Sequence, residues 1–378
     1  MHAPFGRRRF LGLLGAGTVG VVAVGASPAT GVAASTVGAP ARERSGYVPP
    51  PGTWARVRPS AAGWDRARLQ EAFDHAGEHA SFSMTMVLGG RMLAEQSWRL
   101  GLGFALDVAS VQKSVVALLV GNLAAAQKVD IDDPVTTYLG PGWSKATRVQ
   151  EAPITVRHLL TMTSGLSGGL TFEAVPGSRW VYNTNAYQQL VPLVERVGGA
   201  SINEVTRAQL FDPIGVSAAS MWRDRRIDGP LGVDPNGRRI QGLVMTTSDM
   251  ARVGLLVQRN GRWGSARVLA DPRYLAAALD SSQELNPAYG YLWWLNGKSA
   301  YVLPGPPTRH RGALIPTAPD DLVAALGAGD QKIYVSRSLD LVVTRTGASA
   351  GPQSHGALSE FDAELWQRIM AAAPTRRA

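Results

Sequence analysis

Apolar and polar positions change their period several times along the chain, and each change marks an element. Between Gly63 and His79, Leu69, Phe73 and Ala76 recur on one side of a helix. SFSMTMVL (81–88), Gly89-Gly90 and RMLAEQSW (91–98) then read as two strands around a tight turn. From Ser110 to about Gln127, SVQKSVVALLVGNLAAAQ predicts a long apolar helix. Helical segments dominate from Asp133 to Leu210, and another helix is expected at 247–259, opened by Thr246 or Ser248 near Asp249. Strand-like runs return at YGYLWW (289–294), KIYVSR (332–337) and LDLVVTR (339–345), and LSEFDAELWQRIMAA (358–372) is an amphipathic helix. Strands at both ends with helices between them predict a discontinuous α/β domain enclosing a helical insert, without internal repeats.

The 378 residues are 45% hydrophobic and 18% charged, ordinary for a folded protein and far from a disordered one. That length can bury a water-poor active site. No cysteine occurs, which excludes disulfides, thiolate catalysis and cysteine-bound metal but identifies no compartment. The net charge is +9, with no long basic run or basic–aromatic stripe, so nucleic acid is not an expected partner.

Three of the positive charges are Arg7, Arg8 and Arg9, in a segment 1–34 that lacks Asp and Glu. Phe10-Leu11, an apolar glycine-rich stretch to about Val24, and small residues at Ala26 and at 32–34 follow. This is the pattern of a twin-arginine export signal, cleaved near Ala34 or Ala26. The apolar run is short and glycine-rich, which suits a signal better than a membrane span. With no cysteine for a lipid, no stable membrane anchor is expected after removal of the signal. The expected location is therefore periplasmic, cell-wall-associated or extracellular. Residues 35–60 read as a Pro/Gly/Ala/Ser-rich linker, and 61–378 as the functional domain, with its α/β part near 61–115 and 240–378 and its helical part near 116–239.

Ser110-Val111-Gln112-Lys113 is the sole S-x-x-K in the sequence. On a helix the two side chains share a face, placing an amine beside a hydroxyl. A serine hydroxyl needs such a base, and a buried lysine sheds its proton readily because desolvation disfavours the charged form. At the first helical turn, backbone N–H groups also face developing negative charge. Other motifs are weaker. Gly165–Gly169 fits G-x-S-x-G but follows a helical pattern instead of a strand, and Gly347–Gly351 has only His355 downstream, before any Asp. Both read as glycine-rich loops. His75 and His79 stand four apart but without H-E-x-x-H, and read as a solvated helix face beside Asp74 and Glu78. Neither a metal nor a cofactor is expected.

Around the S-x-x-K stand FALDVASVQKS, KVDIDDPVTTYL, ITVRHLLTMTSGL, PGSRWVYNTNAYQQLVPLVERVGGASINEVTRAQLFDPIGV and GLVMTTSDMARVGLL. In this order the blocks resemble the β-lactamase-related serine hydrolases, from about Gly63 to Ala372. That superfamily holds class C β-lactamases, D-alanyl-D-alanine peptidases, β-lactamase-like esterases and 6-aminohexanoate-oligomer hydrolases. The resemblance implies a β-lactamase/penicillin-binding-protein-like α/β fold, an antiparallel sheet flanked by helices with a helical insert. It implies Ser110 as nucleophile, Lys113 as its partner and Tyr182 as proton relay, with either Lys113 or Tyr182 taking the first proton. The family's Y-x-N motif is altered to Tyr182-Asn183-Thr184-Asn185, leaving Asn183 and Asn185 as candidates for the substrate-binding amide.

The third motif, usually K-T-G or H-x-G on an edge strand, is matched by Ala325-Leu326-Gly327 before Ala328-Gly329-Asp330-Gln331. The resemblance puts the backbone N–H groups of Ser110 and Ala328 in the oxyanion hole, with Gly327 beside the substrate. The usual cation is replaced by Ala325, which lowers the expectation of carboxylate-bearing substrates. His310-Arg311-Gly312 also fits H-x-G but lies in a proline-rich loop and reads as a decoy. Tyr289, Trp293 and Trp294 are either pocket lining or core, with Trp294 the candidate substrate contact. No E-x-x-L-N box is present, which favours the class C-like branch. The expected activity is cleavage of a small-molecule ester, amide or peptide-like substrate through a Ser110 acyl-enzyme. The alternatives are a β-lactamase or D-alanyl-D-alanine peptidase, and a catalytically silent binding or sensor module of the same fold.

Overall fold

In a computed structural model, described here for residues 46–227, 230–351 and 358–375, six antiparallel strands form the central sheet. They are β1 (Ser81–Leu88), β2 (Arg91–Ser97), β3 (Trp294–Leu295), β4 (Leu322–Gly327), β5 (Gln331–Ser336) and β6 (Leu341–Gly347), in the order β2-β1-β6-β5-β4-β3. Sequence-distant β1 and β6 pair from Ser81↔Gly347 to Leu88↔Leu341, closing the discontinuous α/β part. Gly89 and Gly90, at φ 58° and 80°, make the two-residue β1–β2 turn.

Both faces of the sheet are covered, so β5 and β6 are buried along their whole length and show no polar–apolar alternation. Side chains on successive positions still point to opposite faces. Ile333, Val335 and Val342 meet helix α3 (Thr247–Gln258) at Gly254, where a Cβ would lie 2.5 Å from Val342 Cγ1. Tyr334 and Arg345 instead reach α4 (Glu360–Ala372), through a Tyr334–Trp366 edge contact and an Arg345–Phe361 cation–π contact. Helix α1 (Arg66–Glu78), capped by Asp65, packs beside α4. Helix α2 (Val111–Ala125) runs buried through the core.

Between α2 and α3 lie short helices, including Val156–Leu160, Thr184–Gln188 and Leu190–Gly198. Capping boxes at Thr147, Thr155 and Ser201 start three of them. A small sheet joins 106–107 to 241–245, and 241–245 to 221–224.

Three expectations change. YGYLWW is mostly a turn, not a strand. Leu292 has φ 60°, its N–H donates to Leu160 O at 3.0 Å, and its carbonyl accepts from Ser114 Oγ at 2.6 Å. Residues 54–57 do not run free as linker: Ala55 O and Val57 N both bond Met92 at the edge of β2. His310 lies in a strand, 309–311, paired with 300–302, and stacks on Tyr301. The export signal and the linker up to residue 45 lie outside the described residues.

Candidate active site

The start of α2 organises the site. Ser110 is its N-cap, with φ −72° and ψ −8°, and Lys113 follows one turn later. Lys113 Nζ donates to Ser110 Oγ at 2.8 Å. The helical i,i+3 geometry produces this contact directly. Ala109, immediately before the nucleophile candidate, has φ 48°, a conformation that costs a non-glycine residue energy. Asp107 Oδ1 holds it by accepting from Ala109 N at 2.8 Å.

Tyr182 completes the group. Its phenol lies beside the Ser110 side chain, so the Ser110 hydroxyl has the Lys113 amine and the Tyr182 phenol as neighbours. Helix Thr184–Gln188 then carries Tyr187 to the other side of Lys113. The ammonium position lies 5.0 Å from the Tyr182 ring centre and 4.8 Å from that of Tyr187. Lys113 is only 2% exposed. Burial first, and the charge of Arg225 second, pull its pKa down to about 7. Near neutral pH a substantial fraction of Lys113 is therefore a free base. Burial pushes the Tyr182 phenol up to about 12, although one edge stays exposed and the neighbouring Ser110 side chain works the other way.

The third side of the site is β4. Gly327 approaches the start of α2 so closely that a Cβ there would lie 2.4 Å from Val108 O and 3.1 Å from Ser110 N. Only glycine permits this approach. Strand β3 pairs with Val323 and Ala324 alone on that side of β4. Exposed Ala328 opens the turn 328–330, where Gly329 and Asp330 have φ 73° and 58°. Below the turn, Asp330, Lys332, Tyr334 and Asp362 form a buried network, with Lys332 Nζ 2.9 Å from Asp330 and 2.8 Å from Asp362. Ala325 is fully buried.

Ser110, Lys113 and Tyr182 thus come together, and Gly327 stands beside them. The asparagines serve differently. Asn183 is buried and caps the helix at Thr184. Both its amide hydrogens go to Leu166 O and Ser167 O, each at 2.8 Å, and its Oδ1 accepts from Ala186 N. It has no amide hydrogen left for a substrate. Asn185 Nδ2 donates to Gly168 O at 2.8 Å. Of the two roles open to Tyr289, Trp293 and Trp294, burial gives all three the core one, and Trp294 is a neighbour of Tyr182 instead of an exposed substrate contact. Trp294 stacks on Tyr182 with ring planes 20° apart and meets Tyr289 edge-on at 4.8 Å, which sets the Tyr182 ring.

Ser167 is a loop residue, its Oγ accepting from Gly169 N and Thr171 N. His75 is buried instead of solvated, stacked on Phe361 of α4 at 5.4 Å, while His79 is half-buried and Asp74 and Glu78 stay exposed. Among the described residues no group of three or more His, Cys, Asp or Glu is arranged to hold a metal. Tyr187, Arg225, Asp107 and Gln112 are additional site residues. Tyr187 was legible as an aromatic inside the tyrosine block. Nothing in the spacing signals Arg225, 118 residues from Asp107.

The beta-lactamase family model matches residues 66–364. The chain belongs to the beta-lactamase family. Its members of this fold are serine hydrolases, and the sheet-and-helix architecture is that of β-lactamases and penicillin-binding proteins. A penicillin-binding protein homologue from Caulobacter crescentus is similar with a TM-score of 0.60 at 14% identity, covering 81% of this chain and 97% of that one. A β-lactamase from Mycobacterium bovis is similar with a TM-score of 0.54 at 20% identity, covering 80% and 97%. EstCE1, a hydrolase with promiscuous acyltransferase activity, has a TM-score of 0.57 at 14% identity, covering 80% and 97%. At these identities the likeness is one of fold. In sequence, an uncharacterized protein of Alkalihalophilus pseudofirmus is 26% identical over 207 residues, half of this chain and 60% of that protein.

Proposed function

We propose that this family member is an exported serine hydrolase that cleaves an ester or amide through a Ser110 acyl-enzyme. The observation that carries the reading is the Ser110 hydroxyl hydrogen-bonded at 2.8 Å to the buried Lys113 amine, with the Tyr182 ring centre 5.0 Å from the same nitrogen. Neutral Lys113 takes the Ser110 proton as Oγ attacks the carbonyl carbon. The N–H groups of Ser110 and Ala328 receive the oxyanion, and the positive end of α2 supports the same charge. Tyr182 passes a proton to the leaving group as the carbon–heteroatom bond breaks. Water then attacks the Ser110 ester, the serine regains its proton, and the acid is released.

Two observations favour a substrate without a carboxylate at the third-motif position. Ala325 supplies no cation there, and Arg225 is already engaged with Asp107 through two bonds of 2.7 and 2.8 Å. Export rests on Arg7 and Arg8 and on the apolar stretch behind them, and Arg7→Lys with Arg8→Lys should retain the protein in the cytoplasm on fractionation.

The test uses the purified protein and a fluorophosphonate probe. Labelling is expected, and Ser110→Ala should abolish it. Unchanged labelling of Ser110→Ala, or no labelling of the wild type, overturns the reading in favour of a silent module. A panel of p-nitrophenyl esters, linear amides, a cephalosporin and a D-Ala-D-Ala peptide then reads substrate class. Efficient turnover of the last two with esters ignored overturns the substrate assignment.

A further inference from the structure

The proposed chemistry accounts for Ser110, Lys113 and Tyr182, but not for an ionic cluster on the flank of α2. Arg225, just past the strand 221–224, sends Nε to Asp107 Oδ2 at 2.8 Å and Nη2 to Asp107 Oδ1 at 2.7 Å. The same Nη2 donates to Gln112 Oε1 at 2.9 Å. Asp107 lies three residues before Ser110 and Gln112 two after, so one guanidinium grips both sides of the nucleophile. Each contact continues into backbone. Asp107 holds the N–H of strained Ala109, while buried Gln112 accepts from Leu243 N at 3.1 Å and donates to Gln241 O at 3.3 Å. Gly242 leaves the space that this requires, since a Cβ there would stand 2.9 Å from Arg225 Nε and 3.0 Å from Asp107 Oδ2.

We propose that Arg225 is a positioning residue for acyl transfer, clamping the Ser110 turn through Asp107 and Gln112. This rests on the reading of Ser110 and Lys113 given above. A planar guanidinium suits this task, because its fork matches both carboxylate oxygens and leaves an N–H for Gln112. The groups in contact with Lys113 are Ser110 on its own helix and the Tyr182 and Tyr187 rings from the segment opposite, and the charge of Arg225, paired with Asp107, acts on the amine through space. Burial and Arg225 act in the same direction on the amine.

Position and charge are separable by substitution. The readout is the second-order rate of Ser110 labelling by a fluorophosphonate, followed from pH 5 to 9, with the acid limb reporting deprotonation of Lys113. Arg225→Gln removes the clamp and the charge, so the limb moves up by about one pH unit and the high-pH plateau falls about tenfold. Arg225→Lys keeps the charge without the fork. Its plateau falls while its limb stays within about 0.3 units of wild type. Asp107→Asn still accepts from Ala109 N–H but leaves Arg225 without its counter-charge, so its limb moves down, by less than the Arg225→Gln shift. Opposite shifts for Arg225→Gln and Asp107→Asn, in variants whose circular dichroism matches wild type, are the expected result. Unshifted limbs in both overturn the inference, and so does an unchanged plateau in Arg225→Lys. A wild type that fails to label is a failure of the serine-hydrolase reading itself and is seen before any variant is made.

Discussion

Gly327→Ala tests the closeness of the β4–α2 approach most directly. The new methyl carbon would stand 2.4 Å from Val108 O, where ordinary contact begins near 3.4 Å, so about 1 Å of separation must be found. Both atoms it meets first, Val108 O and Ser110 N, are backbone, and no flexible side chain can swing aside. Val108 O also accepts from Val111 N at 3.1 Å in the first turn of α2. The strand and the helix start must therefore part, carrying Ala328 away from Ser110. A misplacement of about 1 Å at a reacting group costs on the order of 10²-fold in rate. The accompanying overpacking costs about 1–3 kcal/mol of stability. Fluorophosphonate labelling and p-nitrophenyl ester hydrolysis should both fall about 10²-fold in an otherwise folded protein, with kcat affected more than KM. Gly103→Ala, which meets nothing within 4 Å, is the matched control and should behave as wild type. If Gly327→Ala retains a third or more of the wild-type rate, the oxyanion-hole assignment is refuted.

Other predictions follow from the same geometry. Lys113→Ala should lower labelling by several orders of magnitude, because groups acting as a unit fail together. In the wild type, kcat/KM should climb as pH rises through about 7, since the depressed lysine must lose its proton to act as base; a flat profile from pH 5 to 9 would exclude it. Tyr182→Phe keeps the stacking on Trp294 and removes the phenol, so kcat should drop at least about 10²-fold while the melting temperature changes little. Lys332→Met leaves Asp330 and Asp362 facing each other in the core without their cation. It should cost about 3–5 kcal/mol in urea unfolding followed by circular dichroism, and a loss below 1 kcal/mol would show that the network is dispensable.

Much of this molecule is legible in its sequence, for reasons of chain locality. The Ser110–Lys113 contact follows from helical spacing alone, since neighbours one turn apart must meet. Helix α1, the β1–β2 hairpin and α3 were likewise written in short-range periodicity and capping. Where a segment's conformation depended on a distant partner, the pattern misled. YGYLWW has strand-forming residues, yet Leu160 and Ser114 capture its backbone into a turn. His75 looks like part of a polar face until α4 covers it from nearly 300 residues away.

The same division runs through the candidate site. Sequence by itself brought forward the candidate hydroxyl, amine and phenol, because two of these share one helical face and the third sits in a recognisable block. Tertiary structure alone decided that Asn183 would cap a helix, that Trp294 would buttress Tyr182, and that Gly327 would touch the first turn of α2. It alone brought Arg225 to Asp107. Those contacts join residues far apart in the chain, and their geometry is set by how whole strands and helices pack, which local spacing does not encode.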